Sequence, residues 1–177
     1  MSTAASVSRQ RLTWDEYVNL GEHVRAEYID GCAVVTPSPT REHQAACARL
    51  IRVLEADLPV GHEVIGAWSW KPDENEFIPD VMVHPTTAEN VRFTGTPALV
   101  VEVLSTNRGD DLVLKLHRYA QAGLAHYWIL DPSNRVLLAY QLDEGVYDLR
   151  TVVDEHEPRQ VSFGLGTAHI DLPALLR

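Results

Sequence analysis

The segment ALVVEVLS, residues 98–105, most constrains the fold of this chain, because apolar residues lie on both sides of its single carboxylate, Glu102. A short continuous apolar run that is rich in valine predicts a strand buried on both faces of a sheet. An ionised carboxylate that is buried without compensation costs several kcal/mol. We therefore expect Glu102 to be neutralised by a proton, a cationic side chain or a metal ion.

The segments around this strand predict a mixed sheet. The helical segment 111–123, DLVLKLHRYAQAG, leads from it to a second buried strand, AHYWILDP, at 125–132. Such a crossover makes its two strands parallel neighbours. The earlier strand segments, 62–71 and 77–84, are joined by a shorter turn and are expected to be antiparallel. The predicted fold class is therefore α/β (α+β mixed), with a central mixed β-sheet flanked by helices.

Further elements are predicted on either side of this core. An N-terminal hairpin over 26–35 contains Asp30-Gly31, which suits a type I′ turn. A C-terminal hairpin joins 136–142 to 146–153, and the tail 169–176 is expected to contain a short helix. Thr13 and Glu16 have the spacing of a capping box at the start of one helix, and a longer helix over 41–59 is ended by Pro59.

Length and composition restrict the class of protein. A chain of 177 residues predicts a single domain over 1–177, and its first 11 residues read as a flexible cytoplasmic start without a signal peptide. No apolar run approaches the roughly 20 residues that span a membrane. Cys32 and Cys47 lack the paired spacing of a zinc or redox motif and are interpreted as free thiols. The net charge of −10 argues against strong non-specific DNA binding, but not against a local basic patch.

Three side chains form the candidate site. Asp80 starts one strand and Glu102 lies in the next, so the two carboxylates can converge if these strands are adjacent. Close carboxylates raise each other's pKa, and oxygen ligands favour Mg²⁺ or Mn²⁺ over zinc. Lys115 can point back from the following helix towards Glu102. Glu27 and His43 are weaker candidates, because hairpin glutamates are usually solvated and a lone helix histidine usually packs or caps.

Each of these residues also has a structural explanation. Asp80 follows Pro79 and could simply shape a turn. Lys115 could form a surface ion pair with Asp111, worth ~0.3–0.5 kcal/mol, and Glu102 could pair with an arginine. The sequence contains no Gly-rich phosphate loop, nucleophile elbow or zinc-helix motif, which argues against nucleotide hydrolysis, serine hydrolase and metalloprotease chemistry.

The run EYIDGCAVVTPSPTREHQ, followed by IPDVMVHP, TPALVVEVLS and DDLVLKLHRYAQAGLAHYWILDP, resembles the bacterial Uma-two family of endonucleases. The resemblance implies a restriction-endonuclease-like fold with the PD-(D/E)XK core, in which Asp80 and Glu102 match the metal-binding acids. Leu104 replaces the lysine expected two residues after the glutamate, and Lys115 matches the substitute that the family carries on the helix. Glu27 and His43 also match positions that the family retains.

The resemblance further implies a nuclease that uses Mg²⁺ or Mn²⁺ and acts on nucleic acid, with DNA as the expected substrate. Asp80, Glu102 and Glu27 would hold the metal, Lys115 would position the attacking water, and His43 would contact a phosphate or a water. A homodimer is plausible, since nucleases of this kind often cut two strands. The competing hypothesis is a non-catalytic binding or dimerisation module, which the acidic net charge and Leu104 support.

Overall fold

The computed structural model describes residues 8–21, 24–105 and 109–177, and for residues 109–111 it describes the backbone only. In chain order, its strands and helices are β1 (Ser8–Arg11), α1 (Trp14–Val18), β2 (Ala26–Ile29), β3 (Cys32–Val35), α2 (Arg41–Glu55), β4 (His62–Gly66), β5 (Val81–Pro85), β6 (Leu99–Val103), α3 (Gly109–Gln121), β7 (His126–Asp131), β8 (Val136–Asp143), β9 (Val146–Val153), β10 (Arg159–Ser162), β11 (Thr167–Ile170) and α4 (Leu172–Leu175).

The main sheet has six strands in the order β4-β5-β6-β7-β8-β9. Strands β4, β5 and β6 are antiparallel neighbours, and β6 pairs with β7 in parallel through the α3 crossover. The hairpin β8–β9 continues the sheet beyond β7. The predicted mixed sheet, with its parallel pair around one helix and a C-terminal hairpin, is therefore confirmed.

The two large helices cover opposite faces of this sheet. Leu50 of α2 belongs to the same buried cluster as Val101 of β6, whereas Tyr119 of α3 belongs to the cluster that contains Val100. Side chains alternate between the two faces along a strand. Glu102 therefore projects towards α3, on the same face as Val100.

A second sheet has the strand order β1-β3-β2, and it corrects one expectation. Ser8–Arg11 pairs with Cys32–Val35 along its whole length, so a flexible start over 1–11 is wrong for residues 8–11; residues 1–7 lie outside the described part of the chain. All four β1 side chains are exposed, and the strand forms because the edge of β3 offers backbone partners. Asp30 and Gly31 both have positive φ, 54° and 74°, as the predicted type I′ turn requires.

Local signals fix the helix ends. The capping box of Thr13 and Glu16 is formed at α1, and the predicted C-terminal helix is present as α4. Gly123 ends α3 with φ 74°, and its N–H donates to the Ala120 carbonyl at 3.0 Å. None of the described helices has the length and apolarity needed to cross a membrane.

Other segments also differ from the sequence prediction. The helix expected over 41–59 ends at Glu55, and the strand expected over 77–84 begins at Val81. The strand expected over 62–71 ends at Gly66, because Ala67 adopts a left-handed φ of 53° and turns the chain. The short hairpin β10–β11 was not predicted, since its strands have only four residues each. Whether 1–177 forms a single domain stays a prediction.

Candidate metal centre

Glu102 is buried in the middle of the main sheet, with 3% of its surface exposed. Its Oε1 atom accepts hydrogen bonds from Lys115 Nζ at 3.1 Å and from the Tyr119 hydroxyl at 2.8 Å. Burial raises the pKa of Glu102 to about 7, although the charge of Lys115 opposes the shift. Of the three neutralising partners that the sequence left open, the structure provides a cationic side chain.

Lys115 is also buried, and it joins two glutamates. Its Nζ atom donates to Glu27 Oε1 at 2.9 Å in addition to Glu102. With 3% of its surface exposed, Lys115 forms these ion pairs in the interior of the protein; the Asp111 side chain lies outside the described residues, so the expected pair with it stays a prediction. The helix α3 therefore brings to Glu102 the ammonium group that Leu104 does not supply from the strand.

Asp80 lies immediately before β5. Continuing the β5–β6 register by one step beyond Val81↔Val101 places it opposite Glu102. Its Oδ2 atom accepts hydrogen bonds from the Val103 N–H at 2.9 Å and from His43 Nε2 at 3.1 Å. Burial alone would raise the pKa of Asp80, but the hydrogen bond and charge of His43, the Val103 N–H and the charge of Lys115 together outweigh burial and lower it. The negative charge of Asp80 in turn helps raise the pKa of Glu102, so the two acids differ in acidity.

Glu27 corrects the expectation of a solvated hairpin glutamate. Only 4% of it is exposed, and its Oε1 accepts a hydrogen bond from the Ile78 N–H at 2.8 Å as well as the one from Lys115. The strand β2 thus contributes a third buried carboxylate to the cluster around Lys115.

His43 lies in the first turn of α2, where its backbone N–H donates to the N-cap residue Thr40 at 3.2 Å. Its ring contacts Asp80 through Nε2, and its Nδ1 is 3.7 Å from Cys47 Sγ.

Burial, together with the charges of Asp80 and Glu102, raises the pKa of the Cys47 thiol to about 12. The thiol is therefore neutral and is not a nucleophile by itself.

Three residues of the site were not identified from the sequence: Arg25, Cys47 and Tyr119. Arg25 NH2 lies 3.6 Å from Asp80 Oδ1. Spacing is the signal that could have found them. Arg25 precedes Glu27 by two positions next to a strand. Cys47 follows His43 by four positions on one helix, and Tyr119 follows Lys115 by four positions on another.

The donors are of the type that a hard divalent cation binds, but among the described residues the one group of three donor atoms within 4.8 Å of one another is that of His43, Cys47 and Asp80. Three buried carboxylates, Glu27, Asp80 and Glu102, are paired with Lys115, Arg25 and His43. Among the described residues, no hydrogen bond is made to Oε2 of Glu102, so this oxygen is available as a ligand. Carboxylate oxygens are the ligands that Mg²⁺ and Mn²⁺ prefer.

A cleft of about 510 Å³ borders the site, with His43 in its wall. Leu104 and Ser105 line it after β6, and Pro132 and Ser133 line it after β7, so it opens at the carboxyl ends of the parallel pair. The residues that line the cleft include one acid, Glu42, and four arginines, which are Arg41, Arg49, Arg135 and Arg177. The cleft is thus locally basic although the chain carries a net charge of −10.

The mixed sheet with an acidic cluster at its centre defines a protein of the restriction-endonuclease-like fold. A family model described as "Putative restriction endonuclease" matches residues 14–172, and the chain belongs to this family, Uma2. A solved structure from Anabaena variabilis, described as "a putative nuclease belonging to DUF820", aligns with this chain at a TM-score of 0.75 and 18% sequence identity. The alignment covers 93% of this chain and 97% of the other chain. No curated protein matches the sequence. The resemblance drawn from the sequence is confirmed.

Proposed function

We propose that this protein is a Mg²⁺- or Mn²⁺-dependent nuclease that hydrolyses phosphodiester bonds of DNA. The observation that carries the proposal is the group of three buried carboxylates, two of them paired with Lys115, on a fold whose family is described as "Putative restriction endonuclease". A purely structural ion pair needs one acid for one lysine, whereas Lys115 is paired with both Glu27 and Glu102, and the second carboxylate makes burial more costly unless a proton or a cation joins it.

Each residue then has a defined role. Asp80 and Glu102 would hold the ion, with Glu27 as a further ligand, and the bound ion would supply the Lewis acidity that phosphodiester hydrolysis needs. The Tyr119 hydroxyl fixes the Glu102 carboxylate, and His43 fixes that of Asp80. Lys115 orients the attacking water, and a cavity of about 10 Å³ beside Lys115 and Glu27 has the size of one water molecule.

The arginine-lined cleft supports nucleic acid as the substrate. Arginine pairs with phosphate through bidentate, charge-assisted hydrogen bonds, and basic clefts attract polyanions. His43 lines this cleft and also contacts Asp80, so a phosphate backbone in the cleft would pass beside the acidic cluster. Homodimerisation and a cytoplasmic location stay predictions from the sequence.

The first test is thermal unfolding of the wild type and of Glu102→Gln as a function of Mn²⁺ concentration. At about a hundred times the dissociation constant, one bound ion should stabilise the wild type by roughly 2.7 kcal/mol. For a domain of this size, that corresponds to a rise in Tm of about 5–11 °C at roughly 2–4 °C per kcal/mol. Glu102→Gln should lose the shift, because the neutral amide is a weak ligand.

The control is Glu63→Gln, which removes an exposed glutamate of β4 and should keep the full Mn²⁺ response. If the wild type shows no response to Mn²⁺ or Mg²⁺, the carboxylates are structural. The protein would then be the binding or dimerisation module that the sequence left as the alternative.

Replacing two cleft arginines in Arg41→Ala/Arg135→Ala should weaken DNA binding at low salt. Each lost phosphate contact should reduce the slope of log K against the logarithm of the salt concentration by about one in magnitude. The measurement is a salt titration of labelled duplex DNA by fluorescence anisotropy. Arg150→Ala, an exposed arginine of β9 paired with Asp143 and Asp148, is the matched control and should bind as the wild type does. Equal salt slopes for the double variant and the wild type would remove the cleft from the binding surface.

A further inference from the structure

Beside the oxygen ligands lies a second group of donor atoms with different chemistry. One ligand atom each from His43, Cys47 and Asp80 lies within 4.8 Å of the others. His43 and Cys47 are four residues apart on one face of α2, and Asp80 faces them from the start of β5. The imidazole of His43 lies between the other two donors, with Nε2 3.1 Å from Asp80 Oδ2 and Nδ1 3.7 Å from Cys47 Sγ, so a small rotation of the ring would turn one nitrogen towards an ion bound by all three.

A cavity of about 140 Å³ reaches all three of these residues. Arg25, whose NH2 lies 3.6 Å from Asp80 Oδ1, also lines it, so a bound cation would take the place of this arginine beside Asp80. Gly66 and Ala67 form part of the wall, and the Ala67 N–H donates to the Asp80 carbonyl at 3.3 Å. Ala67 holds a left-handed φ of 53°, a conformation that costs free energy for a residue other than glycine and that occurs often at functional sites. An ion thus has space to enter beside the three donors.

The mixture of donors selects the metal. Thiolate and imidazole favour zinc-like ions, whereas Mg²⁺ and Mn²⁺ bind best to oxygen. Three protein ligands leave a fourth position open, as in zinc sites that bind water or substrate. A coordinating thiol loses its proton to the metal, so the neutral state of the buried Cys47 does not prevent binding.

We propose that His43, Cys47 and Asp80 form a site for Zn²⁺ that shares Asp80 with the oxygen-ligand site and thereby competes with Mg²⁺ or Mn²⁺. The competition rests on the proposed function, since it assumes a hard ion on Asp80 and Glu102. The Zn²⁺ site itself rests only on the three donor atoms. Zinc bound there would withdraw Asp80 from the nuclease centre and inhibit it.

Cobalt(II) is the spectroscopic probe for the thiol ligand, because a thiolate bound to Co²⁺ gives an intense charge-transfer band in the near ultraviolet. The chain has two cysteines, so Cys32→Ser leaves Cys47 as its one thiol. We expect the band in the wild type, in Cys32→Ser and in Glu102→Gln, and we expect Zn²⁺ to abolish it by displacement. A folded Cys32→Ser protein that shows no band would overturn the proposal, whatever its nuclease activity.

Removing Cys47 is the complementary test. Cys47→Ala and Cys47→Ser should lose the cobalt band and keep the Mn²⁺ shift in Tm, whereas Glu102→Gln should lose the Mn²⁺ shift and keep the band. Circular dichroism and unfolding in a metal chelator establish that each variant is folded. If the Mn²⁺ shift disappears together with the band in a folded Cys47 variant, the two groups are one site and the proposal of a separate zinc site fails.

Competition has its own measurement in the wild type. With Zn²⁺ at about ten times its own dissociation constant, the apparent dissociation constant for Mn²⁺ should rise about tenfold, as mass action on a shared ligand requires. In Cys47→Ala the same zinc addition should leave the Mn²⁺ titration unchanged. A wild-type Mn²⁺ titration that ignores zinc while the cobalt band is present would show that Asp80 is not shared.

Discussion

Asp80→Asn and Glu102→Gln should each reduce metal-dependent DNA cleavage by at least about a hundredfold. Residues that merely orient a metal ligand already cost 10–100-fold when removed, and these two supply the ligand oxygens themselves. Asparagine and glutamine keep the size of the side chain and can still accept a hydrogen bond, such as those from Val103 and Tyr119. The measurement is nicking and linearisation of plasmid DNA by purified protein with Mg²⁺ or Mn²⁺.

Glu63→Gln is the matched control for this experiment as well, because it makes the same chemical change at an exposed position of the same sheet. It should cleave at the wild-type rate. A folded Asp80→Asn protein with wild-type cleavage would exclude Asp80 from the active site. The activity would then have to come from a different part of the protein or from a contaminant, which the Glu102→Gln preparation tests.

Lys115→Met should destabilise the fold by about 3–5 kcal/mol, because it removes one partner from a buried ion cluster. Methionine fills a similar volume but leaves Glu27 and Glu102 without the ammonium group that donates to both. Urea unfolding in the presence of a metal chelator measures the loss. The other lysine of the chain, Lys71, lies over the Trp14 ring at 4.3 Å. Lys71→Met is the control and should cost at most about 1 kcal/mol.

Two further measurements separate the charge of Lys115 from its packing. The double variant Lys115→Met/Glu102→Gln should regain part of the lost stability, since it also removes one uncompensated carboxylate. Under the proposed metal binding, Mn²⁺ should stabilise Lys115→Met more than it stabilises the wild type, because the ion replaces the missing positive charge. If the double variant is as unstable as the sum of the single variants, the lysine contributes through packing.

The sequence predicts the centre of this fold well, for a physical reason. The parallel pair β6–β7 follows from two apolar runs and the helix between them, because crossover connections have few alternatives. That unit also places Lys115 near Glu102, since a lysine beside the apolar stripe of α3 faces the sheet. Strand β1 could not be found in this way, because its residues are polar and exposed and its pairing depends on the free edge of β3.

The outer part of the site depends on packing that local patterns do not contain. Glu27 was expected in solvent because nothing in the hairpin sequence indicates that Lys115 of α3 covers it. Arg25 and Cys47 contribute only because α2 and the three-stranded sheet both approach Asp80. A sequence alone assigns an acid to a strand more readily than it assigns a partner from a distant element.

The ion cluster also determines when during folding the site can form. The contacts of Lys115 with Glu27 and of His43 with Asp80 join residues that are 88 and 37 positions apart. Closing chain segments of this length costs entropy before any contact compensates for it. The carboxylates therefore stay hydrated until both sheets have come together, and under the proposed metal binding the affinity for the ion would be a property of the completed fold. A chain that lacks β2 loses Glu27 and a chain that lacks α3 loses Lys115, so neither can form the buried ion cluster.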